Sequence, residues 1–420
     1  MNDLPLFTCK KEFFFMCAVV LFIACCSLGY EWYQFRQFIK EPIYTSKATV
    51  LNHYSKTNEK GRRYDVFKLK LDGVSPEIYT TSWRVSSIPL KARVLVKLKS
   101  DKVDFYGYLK GFYASSVALY TIYEDDPPFD VTPLYRWIDK QHDHEKMAEL
   151  YKTLLFATPI SKELREDVQK WGISHLIAIS GYNVGVISTL LFFLLKPLYQ
   201  IFQSRFFPYR NANGDIMIIV LSVLFMYMVV IDFVPSFLRA FTMSLLGFFF
   251  YSRGIKVVSF EMLGLVVGLL LALFPTLCFS LSFWFSVAGV FYLFLWMHHF
   301  SYVNKWLLLL MVDLGVFFLM IPIVHTFFPT FTFLQLTTPV SSLVFIVFYP
   351  LGVVLHVLNL GSLLDPWVLR FLAVETSSYQ LTFPVWMVIG YIGCSLLAIR
   401  FKYALLMCLL FSFLSLFFIQ

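Results

Sequence analysis

The sequence predicts a membrane α-helical bundle of about nine or ten transmembrane helices that carries one small, basic, water-facing β domain. Three observations predict it. Of 420 residues, 58% are apolar, 19% aromatic and only 15% charged, which is more apolar surface than a single water-soluble core can bury. The apolar residues fall in runs of about 17–23 nearly uncharged positions, close to the roughly 20 needed to cross a hydrocarbon core. One stretch breaks the pattern: residues 31–124 hold 16 Lys plus Arg against 9 Asp plus Glu, a difference of +7 in a chain of net charge +8.

The candidate spans are residues 13–30, 174–195, 216–233, 236–251, 257–274, 278–297, 306–325, 333–356, 383–399 and 402–419. The first follows Lys10 and Lys11 and lacks a small-x-small cleavage site, since Cys25-Cys26-Ser27-Leu28-Gly29-Tyr30 runs into Trp32 and Tyr33. It is therefore expected to be a retained anchor, with residues 1–30 forming a cytosolic start and a first crossing.

Residues 31–124 alternate in short apolar and polar steps. From Lys91 to Lys99, Ala92, Val94, Val96 and Leu98 share one face while Lys91, Arg93, Lys97 and Lys99 share the other, the period-2 signature of a half-buried strand. Further strands are expected at 47–54, 64–71, 77–83, 102–109 and 117–123, with turns at Gly61, Asp72-Gly73 and Ser100-Asp101. Five or six short strands in some 80 residues suit an external OB-like β-barrel. None of the seven cysteines falls between residues 31 and 172 and no CxxC pair exists, so no disulfide or cysteine metal site is expected in that domain. Excess positive charge on it points either to a polyanion, nucleic acid or membrane lipid headgroups, or to a surface kept positive for solubility. Basic and aromatic residues together mark single-stranded nucleic acid, and Tyr64, Lys68, Lys70, Lys91, Arg93, Lys97 and Lys99 are the candidate contacts.

Residues 125–172 start at Asp125-Asp126-Pro127-Pro128 and continue as a polar linker of amphipathic helices. Within it, Gln141-His142-Asp143-His144-Glu145 is expected on a solvated or membrane-surface helix rather than at a metal. Residues 173–420 form the polytopic domain. Loop charge sets orientation: with Lys10 and Lys11 cytosolic, the basic domain lies outside, and Lys196, Arg205, Arg210, Arg253, Lys256 and Lys305 lie inside. Ten full spans would leave Arg400 and Lys402 outside, so one segment within 326–382 is expected to be re-entrant or to cross twice.

Polar residues and glycines interrupt the second span at His175-Leu176-Ile177-Ala178-Ile179-Ser180-Gly181-Tyr182-Asn183. This run resembles the His-Leu-x-Ala-Ile-Ser-Gly signature of the ComEC family of competence DNA-uptake channels. The resemblance continues at Asp232 to Met243, where Ser236, Arg239, Ala240 and Met243 match a Ser-x-x-Arg-Ala-x-x-Met segment, and at Tyr251-Ser252-Arg253 and Pro275 to Phe283. It covers most of residues 145–350. Segment 333–339 departs from the Asn-rich turn usual there. Many family members also carry a metallo-β-lactamase-like nuclease domain, and a chain of this short form implies that any degradation of the second strand falls to another protein.

The resemblance implies a channel for single-stranded DNA in the bacterial cytoplasmic membrane, acting with a periplasmic or surface DNA receptor and a cytosolic ATP-driven or DNA-binding partner; a homo-oligomer is compatible with it. Physical chemistry points the same way. An arginine at mid-bilayer costs roughly 2.5–3.5 kcal/mol, so Arg239 is expected to face protein or water, paired with Asp232 or lining a path. Gly181 and Pro235 can break helices at depth and present a positive helix end to phosphate. His175, Ser180, Gly181, Asn183, Asp232 and Arg239 are thus the candidate path residues. His298, His299, His325 and His356 have no acidic neighbour in sequence at ligand spacing, so packing roles are expected. There is no P-loop, nucleophile elbow or HExxH motif, so no enzyme activity, metal or cofactor is expected. Two rival readings are a secondary transporter of a small organic anion and a membrane-embedded enzyme built on His175 with Asp232.

Overall fold

The structure, a computed structural model, describes all residues except 1–5, 7–8, 59–60, 83–87, 89–90, 101–102, 122–130, 256 and 419–420. The strand ends expected at 83 and at 122–123, the turn at Asp101, the linker start at Asp125–Pro128 and Lys256 lie outside the described residues. The chain divides into two compact units, one of residues 7–130 with 267–281 and one of residues 1–6, 131–266 and 282–420.

In the first unit a 29-residue helix, α1 (Lys10–Phe38), leads into the sheet. The strands are β1 (Ile43–Thr57), β2 (Arg63–Leu71), β3 (Glu77–Ser82), β4 (Arg93–Lys99), β5 (Phe112–Tyr113) and β6 (Ser116–Thr121), in the spatial order β5-β3-β2-β1-β4-β6. All neighbours are antiparallel except β3 and β5. The alternation seen in the sequence sets the inward face: Ala48, Val50, Phe67, Leu69, Leu71, Ile78, Val94, Val96 and Leu98 form one core with Phe35 and Phe38 from the end of α1. The sheet thus folds around the last two turns of the anchor helix.

The stretch 102–109, expected as a strand, is instead a helix, α2 (Phe105–Lys110). Its start is fixed by Asp104, whose carboxylate accepts from the Gly107 N–H at 3.2 Å, the usual N-cap chemistry. Its end is fixed by Gly111 at φ +86°, where a Cβ would lie 2.9 Å from the Glu77 carbonyl oxygen. Alternation alone could not report this, because capping residues outweigh a weak period-2 pattern. The expected barrel does not close either. The edge strand β5 is only two residues long, and among the described residues no ladder joins β3 to β6, where Ser116 Oγ donates to the Thr81 carbonyl oxygen at 2.6 Å.

The second unit is helical. Amphipathic α3 (Thr132–Asp139), α4 (Glu145–Phe156) and α5 (Lys162–Lys170) precede a single turn, α6 (Ser174–Ile177). The apolar helices follow as α7 (Gly181–Phe206), α8 (Ala212–Val230), α9 (Pro235–Tyr251), α10 (Phe260–Leu273, shared with the first unit), α11 (Leu281–His299), α12 (Lys305–Phe327), α13 (Thr338–Val357), α15 (Val385–Leu397) and α16 (Lys402–Ser415), with short α14 (Asp365–Leu372) between α13 and α15. A two-stranded ribbon joins Thr330–Phe331 to Tyr379–Gln380.

Among the described residues, six helices are long and apolar enough to cross a membrane: α1, α7, α8, α11, α12 and Phe333–Val357, which includes α13. The protein is a multi-pass membrane protein. The other four predicted spans form helices of 17, 14, 13 and 14 residues, below the roughly 20 of a full perpendicular crossing. Breakers shorten them: the apolar run through α10 stops before Pro275, and α15 starts only after Pro384. Two boundaries also move. The span expected at 174–195 starts at Gly181, because Ala178 to Ser180 leave the helix, and it runs on to Phe206, so Lys196 is helical rather than in a loop. Residues 141–145 are not a solvated helix; His142 is buried in the turn before α4, and the helix starts at Glu145.

Candidate functional site

Two helix breaks meet in the membrane unit. At the first, Ala178 turns extended and ends α6 after one turn. Ser180 then caps α7: its hydroxyl accepts from the Tyr182 N–H at 3.3 Å, and the Asn183 side-chain oxygen accepts from the Ser180 N–H at 3.2 Å. This reciprocal box satisfies donors that a helix start otherwise leaves open. At the second break, Asp232 and Phe233 adopt left-handed φ values of 61° and 54°, a strained geometry for residues with a Cβ. Pro235, which has no N–H to lose, opens α9. Ser236 Oγ donates to the Ile179 carbonyl at 2.5 Å and ties one break to the other.

One turn along α9, Arg239 is 3% exposed. Its Nη2 lies 3.0 Å from where a Cβ on Gly181 would sit, so any larger residue there would press on the guanidinium at the start of α7. Nη1 reaches the Met243 sulfur at 3.8 Å, a weak contact, and Nε has no hydrogen-bond partner. Asn183 is fully buried; its amide nitrogen lies near the Tyr349 hydroxyl without a hydrogen bond of good geometry. A planar guanidinium with unused donors therefore faces the positive end of a 26-residue helix. Such an arrangement attracts an anion and favours an oxyanion with several acceptors.

Of the six predicted path residues, the structure brings together Ser180, Gly181, Asn183 and Arg239. Asp232 is exposed, and no hydrogen bond or ion pair joins it to Arg239. His175 is exposed on α6, its Nδ1 donating to the Gly172 carbonyl at 3.1 Å. Sequence reasoning passed over Ser236 as a chemical contact, since its partner Ile179 lies 57 positions away.

In the β unit, Tyr64, Lys68 and Lys70 on β2 and Arg93, Lys97 and Lys99 on β4 have the parity opposite to the core residues, so all six share the outer face of the sheet. Lys70 and Arg93 flank Thr49 of β1 in one cross-strand row. Exposed Tyr79, Tyr113 and Tyr120 extend this face, with Tyr79 opposite Lys68 and Tyr120 opposite Leu95. Arg93 and Lys68 have acidic partners. Arg93 forms a bidentate pair with Asp72 at 2.9 and 3.1 Å, and Lys68 pairs with Glu77 at 2.5 Å. Lys91 stands apart, in the turn before β4 at φ 63°.

A family model described as Competence protein matches residues 156–419, well over half the chain and including both helix breaks. The chain belongs to the competence protein family. Searches of curated proteins and of solved structures gave no match. Both breaks, and Arg239 with them, therefore lie within the part of this competence protein that the family model describes.

Proposed function

We propose that this competence protein is a ComEC-type channel that carries single-stranded DNA across the bacterial cytoplasmic membrane into the cytoplasm during natural transformation. The observation that carries the reading is Arg239: a buried guanidinium, with no acidic partner in its hydrogen bonds, held against the broken start of a membrane helix. A buried charge of this kind is expensive unless an opposite charge visits it, and a phosphodiester chain supplies such charges in series. Ser180, Gly181, Asn183 and Arg239 line the path in this reading. The basic, tyrosine-bearing outer face of the sheet guides the strand toward it, with Lys70, Lys97 and Lys99 at its centre. The protein acts as a conduit and not as an enzyme, taking DNA from a surface or periplasmic receptor and passing it to a cytosolic ATP-driven or DNA-binding partner.

The test is deletion of the gene in its host, followed by fluorescent DNA. Label should accumulate outside the cytoplasmic membrane with none in the cytosol. Normal entry of label in the deletion strain would overturn the reading, and failure to take up a small organic anion with DNA entry intact would favour a transporter instead.

A further inference from the structure

A second buried polar cluster lies in the membrane unit and takes no part in the path. It joins three segments far apart in sequence: the turn before α4, the end of α13 and the start of α14. His142 Nδ1 lies 2.8 Å from Asp365 Oδ2, His142 Nε2 lies 3.0 Å from His356 Nε2, and His356 Nδ1 lies 2.7 Å from the Gly352 carbonyl oxygen. His142, His356 and Asp365 are 8%, 1% and 5% exposed.

Donor counting fixes the protons. The Gly352 carbonyl can only accept, so His356 Nδ1 carries a hydrogen. One hydrogen is needed between His142 Nδ1 and the Asp365 carboxylate, and one between the two Nε2 atoms. The chain from Asp365 to Gly352 is satisfied with three protons. The imidazoles then share one positive charge, which the carboxylate balances. Losing the middle proton leaves two lone pairs facing each other at 3.0 Å and a buried negative charge. Gaining one sets two N–H groups head to head and leaves a buried positive charge.

The surroundings keep the cluster dry and rigid. Tyr151 of α4 packs its ring on both imidazoles, at 4.8 Å from His142 and 4.5 Å from His356, and is the further titratable side chain facing them. From α3 come Trp137, 6.0 Å from the His356 ring, and Gln141 beyond it, whose side chain donates to the His356 carbonyl at 3.3 Å and accepts from the Gly361 N–H at 3.0 Å. From α13 comes Phe348, stacked on Tyr151. The charged groups of the turn itself, Lys140, Asp143 and His144, are exposed. The two Nε2 atoms stand 3.0 Å apart, closer than the roughly 4 Å that a metal held between two imidazole nitrogens needs.

We infer that His142, His356 and Asp365 form a buried one-proton clasp that fastens the amphipathic helices α3 and α4 to the junction of α13 and α14. The clasp holds when one proton is shared and loosens when that proton is lost or a second is added. Because α4 packs in the same core as Leu176 and Ile177 of α6, loosening it frees the segment that leads into the first helix break. This inference does not depend on DNA being the substrate.

The test is the thermal unfolding midpoint of the purified full-length protein in detergent, measured between about pH 5 and pH 9, the range in which histidines titrate. The wild type should be most stable at an intermediate pH and lose stability on both sides. Asp365→Asn removes the balancing charge and should move the alkaline limb to lower pH by about one to three units. His356→Gln keeps a donor toward His142 but removes the shared proton, and should flatten that limb. His144→Gln, in the same turn but exposed, should leave the profile unchanged. If His356→Gln fails to fold, the Asp365→Asn shift decides alone. A flat wild-type profile, or an Asp365→Asn profile with its alkaline limb unmoved, overturns the clasp.

Discussion

Replacing Arg239 by Ala separates a path residue from a structural one, because the structure sets the two expected magnitudes apart. Were Arg239 half of a buried ion pair, truncation would strand the partner charge and cost about 3–5 kcal/mol. Among the described residues Arg239 makes no ion pair, its side chain donating to the Met243 sulfur, and Asp232 is exposed at the break. The loss is then packing, about 2–5 kcal/mol for a large side chain cut to Ala. Against it stands the relief of a desolvated charge, about 2.5–3.5 kcal/mol. The difference lies between about −1.5 and 2.5 kcal/mol, so the variant should insert, accumulate and unfold near the wild-type temperature. DNA entry should nonetheless be lost while capture at the outer surface persists. Arg239→Lys keeps the charge but not the fork and should recover entry only partly. The assays are abundance and unfolding midpoint in detergent, together with protected cytosolic DNA in whole cells. Asp232→Asn should not rescue Arg239→Ala. A stability loss above about 3 kcal/mol, repaired by adding Asp232→Asn, would refute the path assignment and make Arg239 a structural partner.

Three further outcomes follow from the same geometry. Binding of single-stranded DNA by the full-length protein should weaken with salt: Lys47, Lys97 and Lys99 are three outer-face cations outside the acidic pairs of Arg93 and Lys68, which at a slope of about −0.7 per phosphate gives roughly a 20-fold loss from 50 to 200 mM salt, and Asp72→Asn with Glu77→Gln should steepen it; salt-independent binding would remove the guiding role. A fragment of residues 31–124 should fold, whereas one starting at residue 42 lacks Phe35 and Phe38 from its core and should melt far lower, since losing one buried Phe costs about 3–5 kcal/mol; equal melting temperatures would contradict the placement of α1. Burial of the Asp167 carboxyl opposes its ionisation, but hydrogen bonds from Lys146 and Lys170 outweigh this and hold it below its ordinary range, so its stabilisation is present above the unfolded carboxylate range and is lost as pH falls through the folded value; Asp167→Asn should cost about 1–2 kcal/mol at neutral pH and flatten the acid limb of a stability profile.

What the sequence made legible is what near neighbours decide. Apolar runs located every long helix, and the alternation from Lys91 to Lys99 placed Arg93, Lys97 and Lys99 on one face. The break before α7 was visible because Ser180, Gly181 and Asn183 are poor choices for a lipid-facing helix interior. Strand 102–109 was misjudged because one side-chain cap at Asp104 and one positive φ at Gly111 decide that segment, and neither has a periodicity. Closure of the barrel turned on the two-residue length of β5, which no local pattern encodes. His142, His356 and Asp365 were out of reach altogether, since the contacts span 214 and 223 residues.

The pairing of Asp232 with Arg239, one of the two roles the sequence leaves open for Arg239, shows why spacing misleads at a break. Seven positions apart on a continuous helix, the two side chains would share a face. Left-handed φ values at Asp232 and Phe233 turn the chain before Pro235 restarts it, and that turn carries Asp232 to the surface while Arg239 swings inward to Gly181. The strain at those two residues is therefore not incidental to the site: an unbroken helix through 231–234 would restore the shared face and let Asp232 neutralise the guanidinium. In the proposed reading, the break keeps the positive charge at the start of α7 available to a phosphate, the property that such a path requires.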